Sequence, residues 1–267
     1  MTKARRILAE SMPAQDVIVE VLDARMPAAS ANPVVTEIRK QKPCIKVLNK
    51  SDLADPVVTK AWLQHFEGSP SVVAIAVSAN QPSDVKTRIP ALCKRLALHP
   101  RGPGKTVRVM VVGIPNVGKS TLINTLMGRS VAKVGDEPAV TKSQQQVTLK
   151  DGMMLSDNPG ILWPKIENEE IAYRLALGGA IPDTAMDYES VATFAARYFL
   201  RRYPQLLIAR YKLKELPPAE DALLAEIGRR HGCLKSGGNV DLHKAADILL
   251  HAFRKGVLGR ISLEAPP

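Results

Sequence analysis

Gly113-Ile114-Pro115-Asn116-Val117-Gly118-Lys119-Ser120 decides the reading of this 267-residue chain. The string fits G-x-x-x-x-G-K-[ST] and stands between a strand pattern over residues 106–112 and a helix pattern over Lys119–Met127. A phosphate-cradling loop requires that context. Its glycines let backbone N–H groups wrap phosphates, and the helix N-terminus adds a favourable dipole. Lys119 is expected to reach the outer phosphates and the Ser120 hydroxyl to ligate Mg2+. Asn116, Val117, Gly118 and Thr121 complete the expected cradle.

The base-reading signal lies upstream. Asn49-Lys50-Ser51-Asp52 directly follows a strand pattern over residues 44–48, and N-K-x-D at such a place suits guanine. The Asp52 carboxylate can accept from the ring N–H and the exocyclic amine, donors that adenine cannot present together. Asn49 braces the loop, and Lys50 packs its stem on the base. Ser78-Ala79-Asn80 follows the strand pattern over 72–77 and resembles the S-A-x loop that closes a guanine pocket through backbone N–H groups. Downstream, Asp157-Asn158-Pro159-Gly160 matches D-x-x-G: Asp157 is expected to hold Mg2+ through water, and the Gly160 N–H to sense a γ-phosphate. Thr141 stands where GTPases place the mobile threonine that closes over magnesium; Thr148, in the following strand, is the weaker rival. An ATPase or kinase reading requires the Asn49–Asp52 string to be accidental.

The order of these motifs is itself informative. Ordinary GTPases run phosphate loop, threonine, D-x-x-G, N-K-x-D, S-A-x; here the last two come first, and no second N-K-x-D follows Gly160. Two tandem domains are thereby excluded. Circular permutation explains the order, with residues 99–105, turn-rich and containing two prolines and two glycines, as the joint. Strand patterns at 16–22, 44–48, 72–77 and 106–112 alternate with helix patterns at 34–41, 56–66 and 83–98. That alternation predicts a mostly parallel α/β sheet. Asn32 and Asp55, each followed by proline, read as helix caps, and Ser83 as a third cap. Residues 146–149 and 153–156 around Asp151-Gly152 predict a hairpin. Beyond Asn168 the pattern is helical: Glu169–Leu177, 190–203, Glu220–Arg230 and 241–255. The expectation is a permuted P-loop GTPase domain over 1–178, followed by a small all-α domain over 179–267.

Composition limits the partners. The 37 Lys and Arg outnumber 26 Asp and Glu, and the isoelectric point is near 9.7; such an excess favours polyanions. From Phe194 onward, thirteen basic residues face seven acidic ones. Arg201, Arg202, Arg210, Lys212 and Lys214 are the candidates for RNA phosphates. Aromatic residues make up only 4%, which disfavours base stacking on a sheet. No apolar run approaches the ~18 residues that span a bilayer, and Cys44, Cys93 and Cys233 have neither disulfide nor zinc spacing. A soluble, cytoplasmic, monomeric protein is expected.

The motifs together resemble the circularly permuted GTPases, most closely the YlqF/RbgA type of ribosome-biogenesis GTPase. The resemblance rests on Thr2-Lys3-Ala4-Arg5-Arg6, Asp23-Ala24-Arg25-Met26-Pro27, residues 49–53, residues 113–121 and residues 157–164, and it covers nearly the whole chain. It implies GTP hydrolysis during late assembly of the large (50S) ribosomal subunit, and a C-terminal RNA-binding helical domain similar to the ANTAR type. It also implies a hydrolytic histidine just before the Thr2–Arg6 stretch; either the true start lies upstream or this form lacks that group. Lys119, Asn116, Thr141 and Gly160 are the expected hydrolytic residues. Ile161 stands where many GTPases carry a water-orienting glutamine, so slow intrinsic turnover is expected. Asn116 resembles the asparagine that ligates K+ in cation-dependent GTPases, and a group from the bound particle is the other available substitute. The alternative is a GTP-dependent RNA-binding switch with negligible turnover.

Overall fold

The computed structural model describes residues 3–78, 81–97, 106–128, 145–149, 152–157, 162, 166, 168–235 and 237–267. Six strands, β1 (Val17–Asp23), β2 (Cys44–Asn49), β3 (Val72–Ala76), β4 (Arg108–Val112), β5 (Gln145–Thr148) and β6 (Met154–Asp157), form one sheet. Their order is β3-β2-β1-β4-β6-β5. Every neighbouring pair is parallel except the β5–β6 hairpin. The order carries the mark of the permutation. β3 is an edge strand, yet the next strand in the chain, β4, lies three places inward, beyond β2 and β1. The expected joint at 99–105 lies outside the described residues.

The central strands are largely apolar because both sheet faces are covered; the buried Glu20 of β1 and Lys46 of β2 pair at 2.7 Å. Along β1, Val17, Val19 and Val21 enter one core with Val85, Ile89, Leu122 and Ile123. Ile18 and Leu22 enter the opposite core with Leu8, Met12, Trp62 and Phe66. Helices α1 (Lys3–Ser11), α2 (Pro27–Ser30), α3 (Pro33–Arg39) and α4 (Pro56–Glu67) belong to the first part of the chain. Helices α5 (Pro82–Leu96) and α6 (Lys119–Met127) cover the face that carries Val17, Val19 and Val21. Asn32 and Asp55 cap α3 and α4 as expected, accepting from the Val34 N–H and from the Val57 and Val58 N–H groups. Ser83 does not cap α5. Pro82 occupies the first turn, and Gln81 stands at the cap without a side-chain bond, because proline's fixed φ and missing N–H start the helix one residue earlier.

The chain then becomes helical: α7 (Glu169–Leu177), α8 (Tyr188–Arg202), α9 (Pro204–Tyr211), α10 (Glu220–Arg230) and α11 (Leu242–Arg254). Asn168, Asp187 and Asp241 cap α7, α8 and α11. Leu223, Leu224, Ile227, Leu249 and Phe253 are buried together, and Ile248 packs partly buried against them. Three short helices escape the sequence patterns: α1, α2 and α9. Each begins at or beside a basic or proline-led stretch whose apolar period is too brief to read. The helical core is not separate from the sheet: Met26 and Ala29, from the loop after β1, are buried within it. The α7 residue Leu175 enters the sheet core, while its neighbours Ala176 and Leu177 enter the helical one.

Candidate nucleotide site

Because β1, β2, β3, β4 and β6 run parallel, their carboxyl ends share one edge, where open α/β sheets bind ligands. Asp23, Asn49, Ser78, Gly113 and Asp157 end or follow those strands. The register sets Asp23 against Asn49 and Val111 against Asp157, so the N-K-x-D loop, the G-x-x-x-x-G-K-S loop and the D-x-x-G strand meet there.

The phosphate loop departs from β4 at Gly113. Gly118, at φ +95°, precedes α6 with no side-chain cap, which leaves the first-turn N–H groups for an anion. A Cβ on Gly118 would overlap the Asn49 side-chain amide; the glycine is what lets the two loops touch. Asn49 is 1% exposed and donates from Nδ2 to the Val117 carbonyl at 2.8 Å. The Lys119 ammonium donates to the Ile114 carbonyl at 2.8 Å, inside the loop, and the residue is buried. Ser120 and Thr121 stand half-buried in the first turn of α6.

Lys50 crosses between the loops. At φ +60° it turns back, and its ammonium donates to the Asn116 carbonyl at 2.7 Å and to Asp23 Oδ2 at 3.0 Å. Asp52 follows in the same turn, half-buried, where the Leu53 N–H donates to the Lys50 carbonyl. Ser78 is buried at the end of β3, and its carbonyl accepts from the Gln81 N–H. Asn116, at φ +61°, sends its Nδ2 to the Gly179 carbonyl at 2.6 Å, just past the end of α7. Asp157 closes β6 beside the β4 strand. Ala79, Asn80, Thr141 and Gly160 lie outside the described residues.

The residues present fit a guanine nucleotide. Asn49 Oδ1 is buried without a hydrogen-bond partner among the described residues, and such an orphan suits a site completed by a polar ligand. Two residues at this edge were not singled out for chemistry from the sequence: Asp23 and Arg25. Both are buried, and Arg25 pairs with Asp23 in two-pronged fashion, Nε to Oδ1 at 2.9 Å and Nη2 to Oδ2 at 2.8 Å. Burial by itself raises the Asp23 carboxyl, but Arg25 and Lys50 outweigh it and hold the group well below the usual carboxylate range. An acid at the last position of a mostly apolar central strand, with an arginine two residues on, was the available signal.

A phosphate loop braced against a guanine-type N-K-x-D loop that precedes it in the chain defines a P-loop GTPase of permuted order. Residues 108–183 match the family model described as "50S ribosome-binding GTPase". The chain is 41% identical to ribosome biogenesis GTPase A of Bacillus licheniformis, covering 100% of this chain and 96% of that protein. It is 32% identical to mitochondrial ribosome-associated GTPase 1 of Bos taurus, over 99% and 86% of the two chains. GNP-bound YlqF from T. maritima superposes with a TM-score of 0.70 at 28% identity, over 99% of both chains. This chain belongs to the ribosome biogenesis GTPase A (YlqF/RbgA) family.

Proposed function

We propose that this GTPase hydrolyses GTP during late assembly of the large (50S) ribosomal subunit. In this reading it is a cytoplasmic monomer that docks through a basic helical RNA-binding unit over 179–267. The observation that carries the nucleotide part is the brace between loops: Asn49 on Val117 and Lys50 on Asn116. It sets base recognition and phosphate cradle at one edge. Asp52 reads guanine, with Ser78, Ala79 and Asn80 closing the pocket. Lys119 and the N–H groups of 116–121 hold the phosphates. Ser120, Thr141 and Asp157 are the residues that hold Mg2+, which supplies positive charge against the outer phosphates when bound. Gly160 reports the γ-phosphate. K+ beside Asn116 belongs to the same reading, with that side chain held in place by its Nδ2 bond to the Gly179 carbonyl.

The charge pattern supports an RNA-facing surface. Arg197, Arg229, Arg230 and Arg254 are paired with Glu220, Glu226 and Asp183. By contrast, Arg201, Arg202, Arg210, Lys212 and Lys214 are all exposed and make no ion pair with a described residue. Among the described residues, no helix is long and apolar enough to cross a membrane.

Turnover should be measured in K+ and in Na+ buffer, alone and with purified large or small ribosomal subunits, while salt is titrated. Stimulation by the large subunit alone is expected. Salt-sensitive binding without stimulation supports instead a GTP-dependent switch of negligible turnover, the reading favoured by Ile161. No nucleotide-dependent binding to either subunit refutes the partner.

A further inference from the structure

The Asp23–Arg25 pair does more than fill the core. One Asp23 oxygen, Oδ2, is shared by Lys50 of the base-reading loop and by Arg25. The third prong of Arg25, Nη1, donates to the Phe253 carbonyl at 3.0 Å, in the last turn of α11, and the guanidinium lies 4.4 Å from the Phe253 ring centre. Arg25 is therefore a buried cation whose planar fork is divided between the nucleotide edge and the helical part, a geometry lysine cannot reproduce.

The chain beyond α11 then returns to the same place. Residues 258–263 are largely buried, and the Leu263 N–H donates to the Arg25 carbonyl at 2.6 Å. The Ile261 N–H donates to the carbonyl of Leu53, the residue after Asp52, and Ser262 Oγ accepts from the Asp55 N–H. Helical part and base-reading loop thus share a continuous hydrogen-bonded seam. Lys50 and Asp52 stand at one end of it, and α11 with its C-terminal strap at the other.

We propose that Asp23 and Arg25 are positioning residues that make guanine-nucleotide binding and docking of α11 with its strap a single coupled equilibrium. The inference rests on the guanine-site reading above. Asp23 aims the Lys50 ammonium, so it decides whether the Lys50 stem lies where the base packs. Arg25 ties that same carboxylate to α11. A nucleotide that orders Lys50 must favour the docked strap, and by linkage the docked strap must tighten nucleotide binding by the same factor. The nucleotide site thereby reaches the helical part directly, independently of the D-x-x-G segment.

The test is amide hydrogen exchange over residues 250–263 of the full chain, with and without GDP, alongside GDP affinity. In the native protein GDP should slow exchange there by about five- to tenfold, within the usual range of coupling between sites. Arg25→Lys keeps a charge beside Asp23 but loses the bridge to Phe253. It should abolish that slowing and weaken GDP by the same factor. Asp23→Asn should abolish the slowing and weaken GDP further, because Lys50 loses its anchor as well.

A purely structural role predicts something else: faster exchange in both variants with the GDP-dependent difference intact. That result overturns the proposal, as does native protein that binds GDP without any change over 250–263. Failure of the native protein to bind GDP overturns the underlying site reading instead. If Asp23→Asn does not fold, the native protein and Arg25→Lys still decide the matter.

Discussion

Gly118→Ala tests the contact between the two nucleotide loops. Alanine at φ +95° adopts a left-handed conformation that costs about 1–2 kcal/mol, and its Cβ overlaps the Asn49 amide. Displacing that amide breaks the buried 2.8 Å bond to the Val117 carbonyl, and an unsatisfied buried group costs about 1–3 kcal/mol. The GDP-bound state should therefore lose about 2–5 kcal/mol relative to the unfolded chain. If the loop holds its geometry, the loss is seen as stability; if the loop relaxes, it is seen as affinity, at about 1.4 kcal/mol for each tenfold. Urea unfolding at saturating GDP, combined with GDP titration of the folded protein, captures both. Asn49→Ala supplies an internal control. In the Gly118→Ala background it should cost about 1 kcal/mol less than in the native one, since neighbouring substitutions that share a partner are not additive. A GDP-bound Gly118→Ala protein within about 1 kcal/mol of the native one would refute the reasoning, because surface-like changes stay in that range.

Asp52→Asn should move preference from guanine toward xanthine nucleotides, read by competition binding; unchanged GTP affinity sinks the base assignment. Replacing Arg201, Arg202 and Arg210 together by alanine should weaken binding to large subunits and lower the slope of log K against log salt by up to about 2–3. An unchanged slope places the RNA surface elsewhere. Glu264 accepts from the Ala28 and Ala29 N–H groups at the start of α2, yet burial, only partly offset by those bonds and by Arg174, raises its carboxyl above the ordinary 4.5. The folded state then binds that proton more tightly than the unfolded one, so its contribution to stability falls as pH rises above 4.5. The stability of native protein minus Glu264→Gln should fall over that window in urea titrations, and a difference flat in pH contradicts the assignment.

How much was legible in the sequence depended on how local the cause was. The helices Lys119–Met127, Glu169–Leu177 and Glu220–Arg230 have the residue bounds that their patterns indicate, since capping and turn signals act within a few residues. The phosphate loop, N-K-x-D and D-x-x-G motifs were equally plain, because ligand chemistry dictates residue types at fixed spacing. Ser83 misled because Pro82 beside it carries the stronger helix-starting signal. The helix Pro204–Tyr211 was hidden because eight residues hold too few periods to show an apolar face.

The order of motifs by itself determined that the nucleotide domain is permuted, and their residue types pointed to a guanine nucleotide. Neither could show that Asp23 is shared between Lys50 and Arg25, that Asn116 grips Gly179, or that Ile261 and Leu263 return to pair with Leu53 and Arg25. Apart from the local Asp23–Arg25 pair, those contacts join residues 27 to 238 positions apart. No periodicity or spacing encodes them; they arise only when the packed sheet and helices bring distant backbone groups to one edge. There, burial obliges each polar atom to find a partner.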